Sequence, residues 1–366
     1  MKISYQKAFF VFVLLFTAFF LTGCHSSKAE KAVISELELI KQLDEETIRS
    51  FISYEDMMSS DAKTSSIGEE TTEAVQLFFK HFDYRILSSS TSKEQASVKV
   101  RLTNLDMKSL AHDLCLSLSA RSADPRNSAP ALTMRDYFSL LGSVLKTHTY
   151  KIISSDTTIE LAKLSDGTWS IQNTSDLEDA LVGGFITYLK DEDLVSPEEI
   201  VPLTFDCFLK FTPADWISYL NMDDIFQTGS SLSSSLDQEV ASQISRYFRY
   251  QIVSSSIDGN HATVIVTITS LNLESILEDY RQKLLAYAST TEAIRATDQE
   301  LAEKTAQLLL TSLKANDATF SQNIEVHLVN NGFSWSVQLD ETFTDAVLGN
   351  SAKAAAALTG ETEIET

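Results

Sequence analysis

The sequence predicts an α+β fold made twice over, on three observations. A self-match runs through the chain with a period of about 166 residues. Within each copy, runs of helical spacing give way to runs that alternate strictly between apolar and polar residues. Asp258-Gly259 and Asn331-Gly332 separate strand-like runs, and such pairs mark antiparallel hairpins because type I′ turns need positive φ at both central positions.

The self-match is best seen where it is ungapped. Tyr84 to Ser90 recurs as Tyr250 to Ser256, Ala96 to Leu105 as Ala262 to Leu271, and Asp179 to Gly183 as Asp345 to Gly349. Asp166-Gly167-Thr168-Trp169 answers to Asn331 through Trp335 with one inserted residue. Two tandem repeats are therefore expected, at 32–192 and 197–356, each with N-terminal helices on a curved antiparallel sheet and a helical insertion between strand pairs.

The elements follow in order. Lys2 and Lys7 precede an apolar run from Ala8 to Phe20, which ends at Leu21-Thr22-Gly23-Cys24. This is the layout of an export signal, and the run is short of the roughly 20 residues a membrane span needs. Leu21 to Cys24 resembles the lipobox of bacterial lipoproteins, whereas an ordinary secretory signal would offer an Ala-x-Ala site. That resemblance implies loss of residues 1–23 and diacylglycerol on the Cys24 thiol, with palmitate-type acyl chains holding the protein to the extracytoplasmic face of the cell membrane. The tether 24–31 reaches at most about 25 Å when extended.

Thr212-Pro213-Ala214-Asp215 reads as a helix start, with Thr47 and Tyr54 in the places of Thr212 and Tyr219. Thr71 to Phe82 and Asp237 to Phe248 form a second helix in each copy. Val264, Val266 and Ile268 alternate with Thr263, Ile265 and Thr267, as a half-buried strand does. Leu273, Ile276, Leu277, Tyr280 and Leu284 make one face of an inserted helix, and Leu301, Leu308, Leu309 and Leu313 support the next. In the first copy the insertion breaks at Asp124 to Asn127 and resumes from Met134 to Lys146. An acidic join near Lys190 to Glu199 separates the copies, and 357–366 is an acidic, mobile tail.

Helices opening onto a curved sheet, with Gly-x-Trp on a late strand, resemble the nuclear transport factor 2-like or cystatin-like cone. Val98 to Leu110 followed by Gly167 to Gly183, and Val264 to Ile276 followed by Gly332 to Gly349, are similar to uncharacterised bacterial lipoproteins built from such domains of unknown function. The resemblance implies an architecture and no active site.

The chain has 29 Lys and Arg against 51 Asp and Glu, a formal charge of -22, so nucleic acid is not an expected partner. Cys115 and Cys207 lie in different copies without metal-ligand spacing; two buried free thiols are the plainer reading and a bond between them the other. His81, His112, His148 and His261 stand isolated, and His25 lies in the tether. His327 shares a strand face with Glu325, its counterpart being Ala162, and reads as a surface residue. Asp223-Asp224 and Asp191 to Asp193 do not follow a calcium loop. Trp169 and Trp335 read as core, and Ser230 to Ser235 as a flexible loop. No catalytic, cofactor or metal residue is singled out, and Cys24 is the one named site.

Three functions remain open on this reading. The first is a non-enzymatic binding protein for an envelope protein or cell-wall component, the second a receptor holding a small ligand in an apolar cone pocket, and the third an isomerase or hydrolase in the cone.

Overall fold

Ser27 accepts the Glu30 backbone N–H at 3.1 Å and so starts helix α1, Lys28–Lys41. That cap satisfies one of the orphan donors of the first turn, so Lys28 to Lys31, expected in the tether, are helical instead. The structure, a computed structural model, describes residues 27–43, 69–126, 133–222, 230–330, 334–351 and 353–354. Cys24, His25, Thr47, Tyr54, Asp223, Asp224, the Asn331-Gly332 turn and the tail lie outside them.

After α1 come α2 (Glu69–Phe79), β1 (Asp83–Thr91), β2 (Gln95–Leu105), α3 (Met107–Ser122), α4 (Met134–Thr147), β3 (Ile152–Lys163) and β4 (Trp169–Ile171). Two short helices, α5 (Ser175–Leu181) and α6 (Phe185–Tyr188), close the copy. The strands form an open antiparallel sheet in the order β1-β2-β3-β4. Alternation in β2 buries Ala96, Val98, Val100 and Leu102 beneath Val33, Leu37 and Ile40 of α1, and this cluster is the core. Half-buried Trp169 packs against it, as expected of a core residue.

The second copy repeats the strand order, with three helices rather than two between its strand pairs. Glu199 accepts both the backbone N–H and the hydroxyl of Ser196, at 2.9 and 2.8 Å, and α7 (Pro197–Phe208) begins there with Pro197 in its first turn. Thr212 and Asp215 cap one another at the start of α8 (Pro213–Leu220), as the spacing predicts. Next are α9 (Ser233–Tyr247), β5 (Arg249–Asp258), β6 (His261–Leu271), α10 (Leu273–Ala288), α11 (Thr291–Arg295), α12 (Asp298–Ala315), β7 (Thr319–Asn330), β8 (Trp335–Gln338) and α13 (Glu341–Val347). A second open antiparallel sheet has the order β5-β6-β7-β8, and Gly259 turns the β5-β6 hairpin at φ 60°.

Three sequence expectations change. Ser233 to Ser235 begin α9, while Ser230 and Ser231 are held by the Glu303 carboxylate, so the serine run is an anchored helix start. Leu301 is exposed, and α12 buries Ala306, Leu310 and Leu313 instead. Strand pairing sets Thr263 opposite His327 and Ser97 opposite Glu160, so Glu160 and not Ala162 is the counterpart of His327.

The residues divide into two compact units, the first reaching Leu118 and then taking Pro130–Leu194, the second taking Ser119–Ala129 and Val195 onward. Within the second, Arg126 lies 4.9 Å from the Phe211 ring centroid and 3.5 Å from the Asp215 carboxylate.

Candidate functional site

In the first repeat a cleft of about 510 Å³ opens where α3 begins and where residues 148–151 lead into β3. Backbone pairing makes it: the Asp106 N–H donates to the Lys151 carbonyl at 2.7 Å, bringing together two segments distant in the chain. Met107, Leu110, Ala111 and Leu114 bury one side of α3. At helical spacing that leaves Lys108, Ser109, His112 and Asp113 to line the cleft.

Both carboxylates there are engaged. Asp106 accepts the Ser109 backbone N–H at 3.2 Å and its hydroxyl at 3.0 Å. Asp113 accepts the Tyr150 hydroxyl at 2.8 Å and lies 3.3 Å from His112 Nδ1. Burial first, then the hydrogen bond to Asp113 and last the Asp113 charge hold the Tyr150 phenol well above its ordinary range, so it stays a neutral donor. His148 Nδ1 meets the Val144 carbonyl at 3.2 Å, at the end of α4, and the ring lies 6.3 Å from that of Tyr150. Lys108 and Lys151 are exposed and make no ion pair among the described residues.

The second repeat has the same corner with other chemistry. Its Asn272 N–H donates to the Ala318 carbonyl at 3.2 Å, Asn272 caps α10 through the Ser275 N–H at 3.0 Å, and a smaller cleft of about 300 Å³ lies alongside. Glu274 stands where Lys108 does, Glu278 where His112 does, and Ala315 and Ala318 where His148 and Lys151 do. Cations here pair internally, Lys353 with Glu274 at 3.5 Å and Arg281 with Glu278 at 3.6 Å.

His112 and His148 are thus not isolated, as the sequence suggested, but share one cleft. His81, His261 and His327 are exposed, the last within 3.3 Å of Thr263. Cys115 and Cys207 are free thiols: Cys115 is buried, which pushes it up to about 11, while Cys207 is half-buried and donates to the Leu203 carbonyl. Asp191 accepts the Asp193 backbone N–H and so shapes a turn. Trp335 is buried and its indole N–H donates to the Val195 carbonyl at 3.1 Å. Among the described residues no three His, Cys, Asp or Glu are grouped to hold a metal, and no helix is long and apolar enough to cross a membrane.

Sequence reading also missed two carboxylates turned inward, half-buried Glu36 and buried Glu178. Burial pushes Glu36 up to about 7 and raises Glu178, and one oxygen of each is buried without a hydrogen-bond partner among the described residues. A polar residue beside an apolar helix stripe was the available signal for Glu36.

No protein-family model matches the chain, and no curated protein matches it significantly. Among solved structures it is similar to that of a candidate lipoprotein, ycdA, from Bacillus subtilis subsp. subtilis strain 168, at 12% identity and a TM-score of 0.26, with 73% of this chain and 95% of that chain covered. A likeness at that level leaves the reading to this chain's own residues.

Proposed function

We propose that this is a lipid-anchored, extracytoplasmic binding protein that recognises an envelope component through its surface and does not transform it. Lys2, Lys7, the apolar run and Leu21 to Cys24 support the anchor, and two acyl chains suffice for stable attachment. The observation that carries the binding reading is the filling of the sheet's inner face. In the first repeat Val33, Leu37, Val98, Val100 and Leu102 are at most 2% exposed there. In the second, Phe205, Phe208, Phe248, Phe343 and Trp216 meet ring to ring, with Phe208 and Trp216 stacked at 5.4 Å. A nuclear transport factor 2-like cone that houses a ligand keeps that space open, so recognition here falls to the clefts outside it.

Two experiments test the reading. Intact wild-type protein should carry the mass of an acylated Cys24 and lack residues 1–23, and a Cys24→Ala variant should not; equal masses would remove the anchor. A photo-crosslinking side chain at Thr149, on the exposed rim of the first cleft, should trap a discrete envelope component in intact cells, while one at Ser275 should not. Equal labelling at both positions, or none, would remove the cleft as the recognition surface.

A further inference from the structure

We propose that the first-repeat cleft binds a small phosphate-bearing ligand, held by Lys108 and Lys151 with His112, His148 and Tyr150 around it. This deepens the binding reading above and rests on it.

In a chain of formal charge -22, unpaired cations converging on one cleft call for a reason. Lys108 comes from the first turn of α3 and Lys151 from the strand entry opposite, so two separate segments supply the pair. Neither lysine has a carboxylate partner among the described residues, because Asp106 is committed to Ser109 and Asp113 to Tyr150 and His112. Those bonds come from the neutral donors Ser109 and Tyr150, so both aspartates stay anionic in the lining, but they are held at the wall and neither pairs with a lysine ammonium, which stands free to meet a ligand. Both imidazoles direct Nδ1 to a protein oxygen, Asp113 for His112 and Val144 for His148, which fixes their planes beside the opening. Such positioning by a partner on one nitrogen is how a binding histidine is oriented.

The chemistry favours phosphate over a carboxylate. Lysine serves as a point-charge phosphate binder, whereas planar carboxylates are matched by the arginine fork, and no arginine lines this cleft. A volume of about 510 Å³ lies within the range of small-ligand sites. The equivalent corner of the second repeat is an internal control made by the protein itself. There the lysines become Glu274 and Ala318, the histidines Glu278 and Ala315, and the nearby cations are already paired. The backbone device is the same, so the difference lies in the side chains.

Phosphate could arrive free or as the headgroup of an anionic lipid. The test uses full-length acylated protein in nanodiscs of phosphatidylcholine, with phosphorus NMR of added glycerol phosphate as the probe. Wild-type protein should broaden the probe signal, and a Lys108→Gln, Lys151→Gln double variant should weaken that effect about tenfold or more, since hydrogen bonds to charged groups are the strong ones. Exposed lysines can be exchanged without loss of fold, which the circular dichroism of the variant checks. Ser275→Ala in the second cleft should leave the effect intact. Nanodiscs containing phosphatidylglycerol separate the sources: competition with the probe assigns the headgroup, undiminished probe binding assigns the free ligand, and both uphold the site. Absence of broadening, or broadening indifferent to the double variant, overturns the phosphate inference. A Thr149 crosslink that persists in that case leaves the binding reading standing.

Discussion

The two repeats share their helix-to-strand fastening and differ in what fills and what faces it. Tyr84 donates to Glu38 at 2.7 Å and Tyr250 to Asp206 at 2.7 Å; Ser89 donates to Glu30 and Ser255 to Glu198. Each pair ties the opening helix, α1 or α7, to the first strand of its sheet. Both first strands also carry a bulge at the same place, between Ile86 and Ser88 and between Ile252 and Ser254, which twists an exposed edge and discourages pairing with another chain. By contrast, Ile40 of the first core gives way to Phe208 in the second, and the corner that carries Lys108 and His112 in the first carries Glu274 and Glu278 in the second. What stays the same is scaffold, and what changes is where a function can reside.

The largest test of that division is a backbone one. Gly183 and Gly349 close the two copies at φ 65° and 72°, in the left-handed region that side chains avoid. A Cβ on Gly349 would drive into the backbone carbonyl of Leu271, which cannot yield, whereas one on Gly183 would meet the movable side chains of Met107 at 2.9 Å and Asn104 at 3.1 Å. Gly349→Ala should therefore cost more than about 4 kcal/mol or prevent folding, and Gly183→Ala about 2 kcal/mol. Urea midpoints of the two variants check this, and equal losses would break the asymmetry.

The cores give the next contrast. Phe208 is 1% exposed and meets the rings of Phe205, Phe211, Trp216, Tyr219, Phe248 and Phe343. Phe208→Ala should cost about 3–5 kcal/mol, and Ile40→Ala, at 8% exposure, should fall toward the lower end of about 2–5 kcal/mol. Smaller again are Tyr84→Phe and Tyr250→Phe, each removing one hydrogen bond to a carboxylate at the surface. About 1 kcal/mol apiece is expected, alike in both repeats, measured by thermal unfolding. Unlike losses would show that the shared fastening is not equivalent.

Local signals were legible in the sequence because they act within a turn of chain. Ser196 with Glu199, Thr212 with Asp215, and Gly259 in its hairpin are all read from neighbours only a few residues apart. The alternation in β2 and β6 likewise announces its own buried face. The cleft was not legible, because Lys108 and His112 meet His148 and Lys151 only after α3 and α4 have been inserted between paired strands. One signal was present all the same. Setting the repeats side by side at the α3 and α10 starts shows Lys108 against Glu274 and His112 against Glu278, a charge reversal within a preserved helix start.

The smallest expected effect separates the repeats by pH. Glu36 on α1 is pushed up to about 7 by burial, and the helix-to-strand fastening places Thr204, 8% exposed, at the corresponding point of α7. An unfolded Glu titrates near about 4.3, so between there and about 7 the folded state holds the proton that the unfolded state has released. Native binding of more protons means that stability falls as pH rises across that window, and the full penalty is present above it. Because the side chain is only partly buried, solvent screens the effect below what the shift alone suggests. Glu36→Gln keeps the shape of the protonated acid without its ionisation. The variant should match wild type near pH 4, exceed it progressively through pH 7, and hold that advantage at pH 8, read as the difference in thermal midpoint. A Thr204→Glu substitution should import the same slope into the second repeat; a pH-independent difference in both cases would mean that the Glu36 carboxylate ionises within the fold at no cost.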